Sequence, residues 1–152
     1  MMAAFEVDFP DDFMQDLLQS DFDEIAEEAL KEASPVLVKS LQQSCQRVII
    51  HPGDSDLVKS FKSSKPKKSV NGAWIANVNP KGKSKTSYYA KQNGKKTQRK
   101  YAVSNALKAL WKEYGVAGRQ PAMPFIQNGT KNAENGVMEK MQQVYNRKVG
   151  AE

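Results

Sequence analysis

Chemistry in a chain of 152 residues would need a nucleophile with its base, a paired set of acids, a metal cluster or a loop that cradles phosphate. The sequence holds one histidine, His51, and one cysteine, Cys45. His51 stands beside the Pro52-Gly53 turn with no Cys or His companion at ligand spacing, so it reads as structural or solvent-exposed. Cys45 falls on the apolar stripe of a predicted helix, which marks a core thiol rather than a reactive one. The carboxylates from Asp23 to Glu32 recur at spacings that suit one solvated helix face, not an acid and base pair. Residues 82 to 87 (GKSKTS) lack the upstream glycine and the strand-loop-helix setting of a phosphate loop. The chain is therefore read as non-enzymatic, with no metal and no cofactor.

Charge is the stronger signal. The net charge is +6, but residues 1 to 56 carry thirteen acids against three bases, whereas residues 57 to 112 carry fifteen bases and no acid. Such blocks give one negative and one strongly positive face, suited to copies packing head to tail, or to a basic face meeting an acidic partner or nucleic acid. Lys81, Lys83, Lys85, Lys91, Lys95, Lys96, Arg99 and Lys100 make up the basic surface. With Trp74, Tyr88, Tyr89 and Tyr101 among them, these bases could track phosphates and stack bases. Only four of the 23 basic residues are arginines, so nucleic-acid binding of this kind would be blind to sequence. The alternative is a solvated lysine-rich loop and strand edges guarded against aggregation.

The elements that must position these residues follow from periodicity. The chain is long enough for one domain with its own core. No segment approaches the ~20 apolar residues of a membrane span, and the N-terminus lacks the basic start and apolar stretch of a secretory signal, which predicts a soluble protein in a reducing cytosol. Residues 1–20 form an arm with a short helix over 11–19, carrying Phe13, Leu17 and Leu18 on one side. From Phe22, apolar positions Ile25, Ala29, Ala33, Leu37, Leu41, Cys45 and Val48 predict a long helix, kinked near Ala33 by Pro35. A short helix capped by Asp54 or Ser55 follows. Strands over 70–78, 86–91 and 97–103 predict a three-stranded antiparallel meander with turns at Asn79-Pro80-Lys81-Gly82 and Asn93-Gly94. Residues 79–100 are its lysine-rich hairpin elaboration. A helix over 102–114 should bury Ala106, Leu107, Leu110, Trp111 and Tyr114, and Gly115 should end it. The last helix, with Ala133, Val137, Met141, Val144 and Tyr145 inward, should start only near Thr130, because Asn128-Gly129 weakens its first turn. The fold class is α+β: a small antiparallel sheet on a long N-terminal helix, with further helices toward the C-terminus.

Between the last two helices lies EYGVAGRQPAMPF, residues 113 to 125. Pro121 and Pro124 fix φ and restrict the residues before them, so this corner costs little entropy to hold in one shape. Tyr114, Gly115, Arg119, Pro121, Met123, Pro124 and Phe125 are the predicted interface, with Met123 and Phe125 as apolar anchors and Arg119 as a fork for a carboxylate. The alternative is an intramolecular corner that only aims the last helix. Replacing Gly115 by Val together with Pro124 by Ala is expected to spare folding and abolish assembly.

A helix end, Tyr-Gly, a short loop with Arg, then Pro-Ala-x-Pro-Phe opening a helix resembles the hallmark of the small neck proteins of long-tailed, lambda-like bacteriophages, the head-tail joining, tail-completion or tail-component family. Pro52-Gly53-x-x-x-Leu57-x-x-Ser60-Phe61 is similar to a second family segment, and the order of elements from about residue 20 onward is the family's. The chain departs at Val116, Met123 and Asn128-Gly129, where the family carries Thr, Arg and Pro-Ala. The resemblance implies a virion protein, assembled in the host cytoplasm, that forms a ring, six copies being the family's expectation. That ring would lie at the head-tail junction between a connector or stopper and a tail terminator or tail tube, with DNA passing through it and no membrane involved. In such a ring the acidic helix and the basic sheet are the expected opposing faces, and salt should weaken their contact.

Overall fold

The computed structural model describes residues 3–4, 22–50 and 54–150, and only the backbone at 3–4, 86–92, 96 and 98–100. The predicted 11–19 helix, His51 and Pro52-Gly53 lie outside the described residues. The architecture is mixed α+β, with a long N-terminal helix, small antiparallel sheets and a long C-terminal helix.

Helix α1 (Phe22–Val48) and helix α4 (Phe125–Val149) form the body of the molecule and run antiparallel. Along α1 the stripe Ile25, Ala29, Ala33, Leu37, Leu41 and Cys45 is buried, as its three- and four-residue spacing predicts. The helix runs through Pro35 without interruption, and Pro35 is exposed, so the backbone bond it forgoes faces water. Close approach of the two helices rests on glycine. A Cβ at Gly129 would stand 3.0 Å from Leu41 Cδ2 and Ser44 Oγ and 3.2 Å from Leu41 Cα. Ser40 Oγ donates to the Gly129 carbonyl at 2.7 Å across the same seam.

At the far end of this pair, acids near the start of α1 meet bases near the end of α4. Lys148 Nζ lies 2.8 Å from Glu24 and 2.7 Å from Glu28, Arg147 pairs with Glu28 and Glu32, and Lys140 stands 3.5 Å from Glu32. The acidic face expected to meet a neighbour is thus largely engaged within the chain. Charge placement explains this: both helices put charge where the dipoles favour it, acids at the N-terminus of one and bases at the C-terminus of the other.

Helix α2 (Ser55–Ser60) leads into strand β2 (Phe61–Ser63). The rest of the β region departs from the predicted meander. Strand β5 (Asn77–Pro80) pairs antiparallel with β2 and with β1 (Ala3–Ala4), while β3 (Lys67–Lys68) pairs with β4 (Trp74–Ile75). Strands β6 (Lys83–Gln92) and β7 (Lys95–Ser104) pair only with each other, as a ten-residue ribbon closed by Asn93 (φ 51°) and Gly94 (φ 75°). Two positive φ values define the type I′ turn that Asn-Gly predicts. Asn79-Pro80-Lys81-Gly82 does not reverse the chain into a neighbouring strand. Asn79 and Pro80 stay in β5, and Gly82, at φ +79°, redirects the chain into the separate ribbon.

The core joins these layers. Leu41, Cys45, Leu57, Val78 and Val137 surround Phe61 and Phe125, whose rings meet edge to face at 5.9 Å and 83°, a favoured aromatic geometry.

Candidate interaction surface on helix 105–114 and its corner

Helix α3 (Asn105–Tyr114) is where the structure most sharply departs from its sequence pattern. It begins after Ser104, whose Oγ accepts from the Leu107 amide at 3.1 Å, so its start is a cap rather than residue 102. The face predicted to be buried is the outer one. Leu107, Leu110 and Tyr114 are 40%, 39% and 65% exposed, Ala106 is exposed, and Trp111 is half-buried. Buried instead are Asn105, Lys108, Ala109, Lys112 and Glu113. Of the eight large apolar residues exposed among those described, four lie between Tyr101 and Tyr114, so this is the principal apolar patch.

Polar partners explain why the helix turns this way. Lys108 Nζ donates to Ser84 Oγ at 2.8 Å and to the Lys85 carbonyl at 3.3 Å, and Ser84 Oγ donates to Asn105 Oδ1 at 2.6 Å. Asn105 Nδ2 in turn donates to the Lys81 carbonyl at 2.8 Å. Burial pushes the Lys108 ammonium below its usual range, while Asp54 and Asp56 act in the opposite direction. One turn on, Lys112 Nζ lies 3.2 Å from Asp54 Oδ2. These groups tie α3 to the base of the ribbon and to the start of α2. A network with this many satisfied partners holds one orientation, because rolling the helix would strand buried charges. Cys45 lies near the same pair, and burial pushes its thiol up to about 12.

Glu113 supplies the next link. Its carboxylate accepts from the Ile126 amide at 2.7 Å and the Gln127 amide at 3.1 Å, capping α4 from the preceding helix. A buried carboxylate on the first free amides satisfies donors that nothing else at Pro124 supplies, and it meets the positive end of the helix dipole. For this reason α4 starts at Phe125, a full turn before the predicted Thr130.

Between the two helices the corner is locked by its own backbone. Val116 and Gln120 exchange bonds at 2.8 and 2.9 Å, and the Met123 amide donates to the Lys112 carbonyl at 2.7 Å. Gly115, at φ +76°, leaves a Cβ no room: it would lie 2.7 Å from Ala122 N and from Gln120 O. Gly115→Val therefore damages the subunit itself, against the expectation that folding would be spared. Phe125 is corrected likewise. At 1% exposure it is a core residue and cannot anchor a neighbour. Tyr114, Arg119, Pro121 and Pro124 are exposed and Met123 is half-buried. Tyr114, Val116, Arg119 and Pro121 line an open concavity of about 560 Å³, contiguous in sequence with the apolar stripe.

The basic residues lie on the ribbon beside α3. Lys81, Lys83, Lys85 and Lys95 are exposed, and among the described residues none of the four makes an ion pair. Lys83 pairs in register with Ser104, Lys85 with Ala102, Lys91 with Lys96, Arg99 with Tyr88 and Lys100 with Ser87. Among the described residues no three His, Cys, Asp or Glu side chains gather as a metal site, and no helix is long and apolar enough to cross a membrane.

Comparison with protein families, curated proteins and solved structures finds no match. The sequence reading missed Glu113 and the buried lysines. Their signal was present in Asn105-x-x-Lys108-x-x-x-Lys112, a second set at helical spacing on the face opposite the leucines.

Proposed function

We propose that this chain is a structural, non-catalytic subunit that self-assembles through the outer face of α3 and the adjoining corner. One observation carries the reading: an amphipathic helix buries its charged side in a satisfied network and turns Leu107, Leu110 and Tyr114 outward. Leaving apolar surface in water is unfavourable by roughly 25 cal/mol per Å², which favours covering it with protein. The rigid corner lowers the ordering cost of docking.

The motif in residues 113–125 extends the proposal to the neck of a long-tailed bacteriophage, as a ring at the head-tail junction. Its partners would be further copies of itself, six in all by the resemblance, the adjacent connector or stopper, and the tail terminator or tail tube. Packaged DNA passing through the ring would be contacted without sequence specificity. A second reading, a sequence-blind nucleic-acid module, is favoured by the lysine ribbon, which pairs with no other strand.

Negative-stain microscopy with a duplex-DNA gel shift separates the two. Closed rings support the neck subunit, while monomers that shift duplex DNA support the binding module and refute self-assembly.

A further inference from the structure

Register splits the ribbon into two unlike faces. Strands β6 and β7 pair without a break from Lys83 opposite Ser104 to Gln92 opposite Lys95, so residues directly opposite share a face and successive residues change sides throughout. By register one face carries Lys83, Lys85, Lys91, Lys96 and Lys100, and the other carries Lys95 and Arg99. The base of the ribbon shows which face is outward. Ser84 and Val103, on the two-base face, are buried, whereas Lys83, Lys85 and Ala102 are exposed. The buried side is held to α3 by the Ser84, Asn105 and Lys108 bonds. The five-lysine face therefore looks away from the helix that anchors the ribbon.

Little in the neighbouring sequence offsets this charge. No acid occurs between residues 57 and 112, and among the described residues neither Lys83 nor Lys85 makes an ion pair. Beside α3, Asp54 is already taken by Lys112 and Glu113 by the first amides of α4. From position 83 to position 91 the strand advances about 27 Å at 3.4 Å per residue. The lysine face is thus an extended row of like charges, whose mutual repulsion an extended polyanion would relieve.

The same register indicates which polyanion. Proteins that hold a single strand combine a basic track with aromatic platforms on one surface. Here Tyr88 and Tyr101 fall on the face opposite the lysines, and only Tyr89 shares theirs. One ring among five cations favours phosphate contact over stacking. A ribbon two strands wide is also a shape that the major groove of a duplex admits.

We propose that the face bearing Lys83, Lys85, Lys91, Lys96 and Lys100 binds the phosphate backbone of duplex DNA. This rests on the DNA contact put forward above and gives it a face, a residue set and a preference for duplex over single strand. Lysines act there as point charges, so the contact is blind to sequence.

Fluorescence anisotropy of the full chain with a labelled duplex, repeated across a range of salt, tests this. Five phosphate contacts make log K fall with log salt at a slope of about −4.5, which is about 500-fold weaker binding for a fourfold rise in salt. Lys85→Gln with Lys100→Gln should make the slope shallower by about 1.8, and Lys83→Gln with Lys85→Gln by the same amount. Lys95→Gln with Arg99→Gln removes equal charge from the opposite face and should leave the slope close to that of the parent. Equal losses from the two faces overturn the proposal while leaving DNA contact standing, and so does tighter binding of a single strand of the same length. Displacement of the duplex by poly-glutamate as readily as by unlabelled duplex overturns it in favour of an acidic protein partner. A parent chain that binds no duplex at low salt overturns both the proposal and the DNA contact on which it rests.

Discussion

Replacing Gly115 by alanine should cost this protein far more than the same change three residues later. At Gly118 the φ is +69° and nothing lies within 4 Å of a built Cβ, so Gly118→Ala carries only the left-handed penalty, about 1–2 kcal/mol. At Gly115 the backbone stands at φ +76°, ψ 176°, a region that is essentially glycine-only and costs any other residue about 1–3 kcal/mol. There the added methyl meets Ala122 N and Gln120 O at 2.7 Å and Pro121 C at 3.0 Å. All three are backbone atoms, and the 116–120 bridge and the Met123–Lys112 bond hold them in place. Forced overpacking of this kind adds about 1–3 kcal/mol. The sum is about 4 kcal/mol, or a fall in Tm of roughly 8–16 °C for a chain of this length. Urea and thermal unfolding of both variants, followed by far-UV circular dichroism, measure the difference. If Gly115→Ala proves no less stable than Gly118→Ala, the corner is not the locked element described, and the argument that it is pre-organised for docking is lost.

Three further outcomes follow from the same geometry. Glu113→Gln removes one charged acceptor from the start of α4 and should destabilise the subunit by about 2 kcal/mol in chemical denaturation. Gly129→Ala should be destabilising on balance. The gain of about 1 kcal/mol in helix propensity is opposed by contact with Leu41 Cα, whereas Gly136→Ala meets only the tip of Val36 at 3.2 Å and should be neutral or stabilising in the same assay. Hydrogen bonds from Trp74 and Lys68 to Asp23, from Lys148 and Arg147 to Glu28 and from Arg147 to Glu32 hold these carboxyls below their ordinary range. Their stabilising effect is therefore present above the unfolded carboxylate range near pH 4 and lost as pH falls through the depressed folded values. The loss of stability between about pH 5 and pH 3 should be shallower in Arg147→Met than in the parent chain.

How much of this was legible in the sequence depends on what competed with the pattern. The long helix from Phe22 was legible because a seven-turn stripe of small and branched residues leaves one way to bury it, and the Asn93-Gly94 turn because its two residues accept positive φ. The meander was not, since nothing local to Asn79-Pro80-Lys81-Gly82 shows that the Lys81 amide bonds the Ser60 carbonyl, and partner choice is a long-range matter. On α3 two faces share helical spacing, and ranking by hydrophobicity selects the leucines for the interior. What reverses the ranking is a set of partners, Ser84, Asp54 and the Lys81 carbonyl, distant in the chain from the helix. The start of α4 failed for the same reason, because Asn128-Gly129 weakens a helix locally while a carboxylate twelve residues before Phe125 repairs it. Of the predicted corner residues, Tyr114, Arg119, Pro121 and Pro124 are placed where a neighbour could touch them, and Phe125 is not.

Sedimentation velocity on the intact chain against Leu110→Asp distinguishes whether the apolar face of α3 joins identical copies. Leu110 is 39% exposed, so its replacement should leave the unfolding midpoint of the subunit close to that of the parent. A discrete closed oligomer is expected for the parent and a folded monomer for Leu110→Asp. A parent chain that stays monomeric at high concentration, or a variant that sediments as the same oligomer, would contradict it.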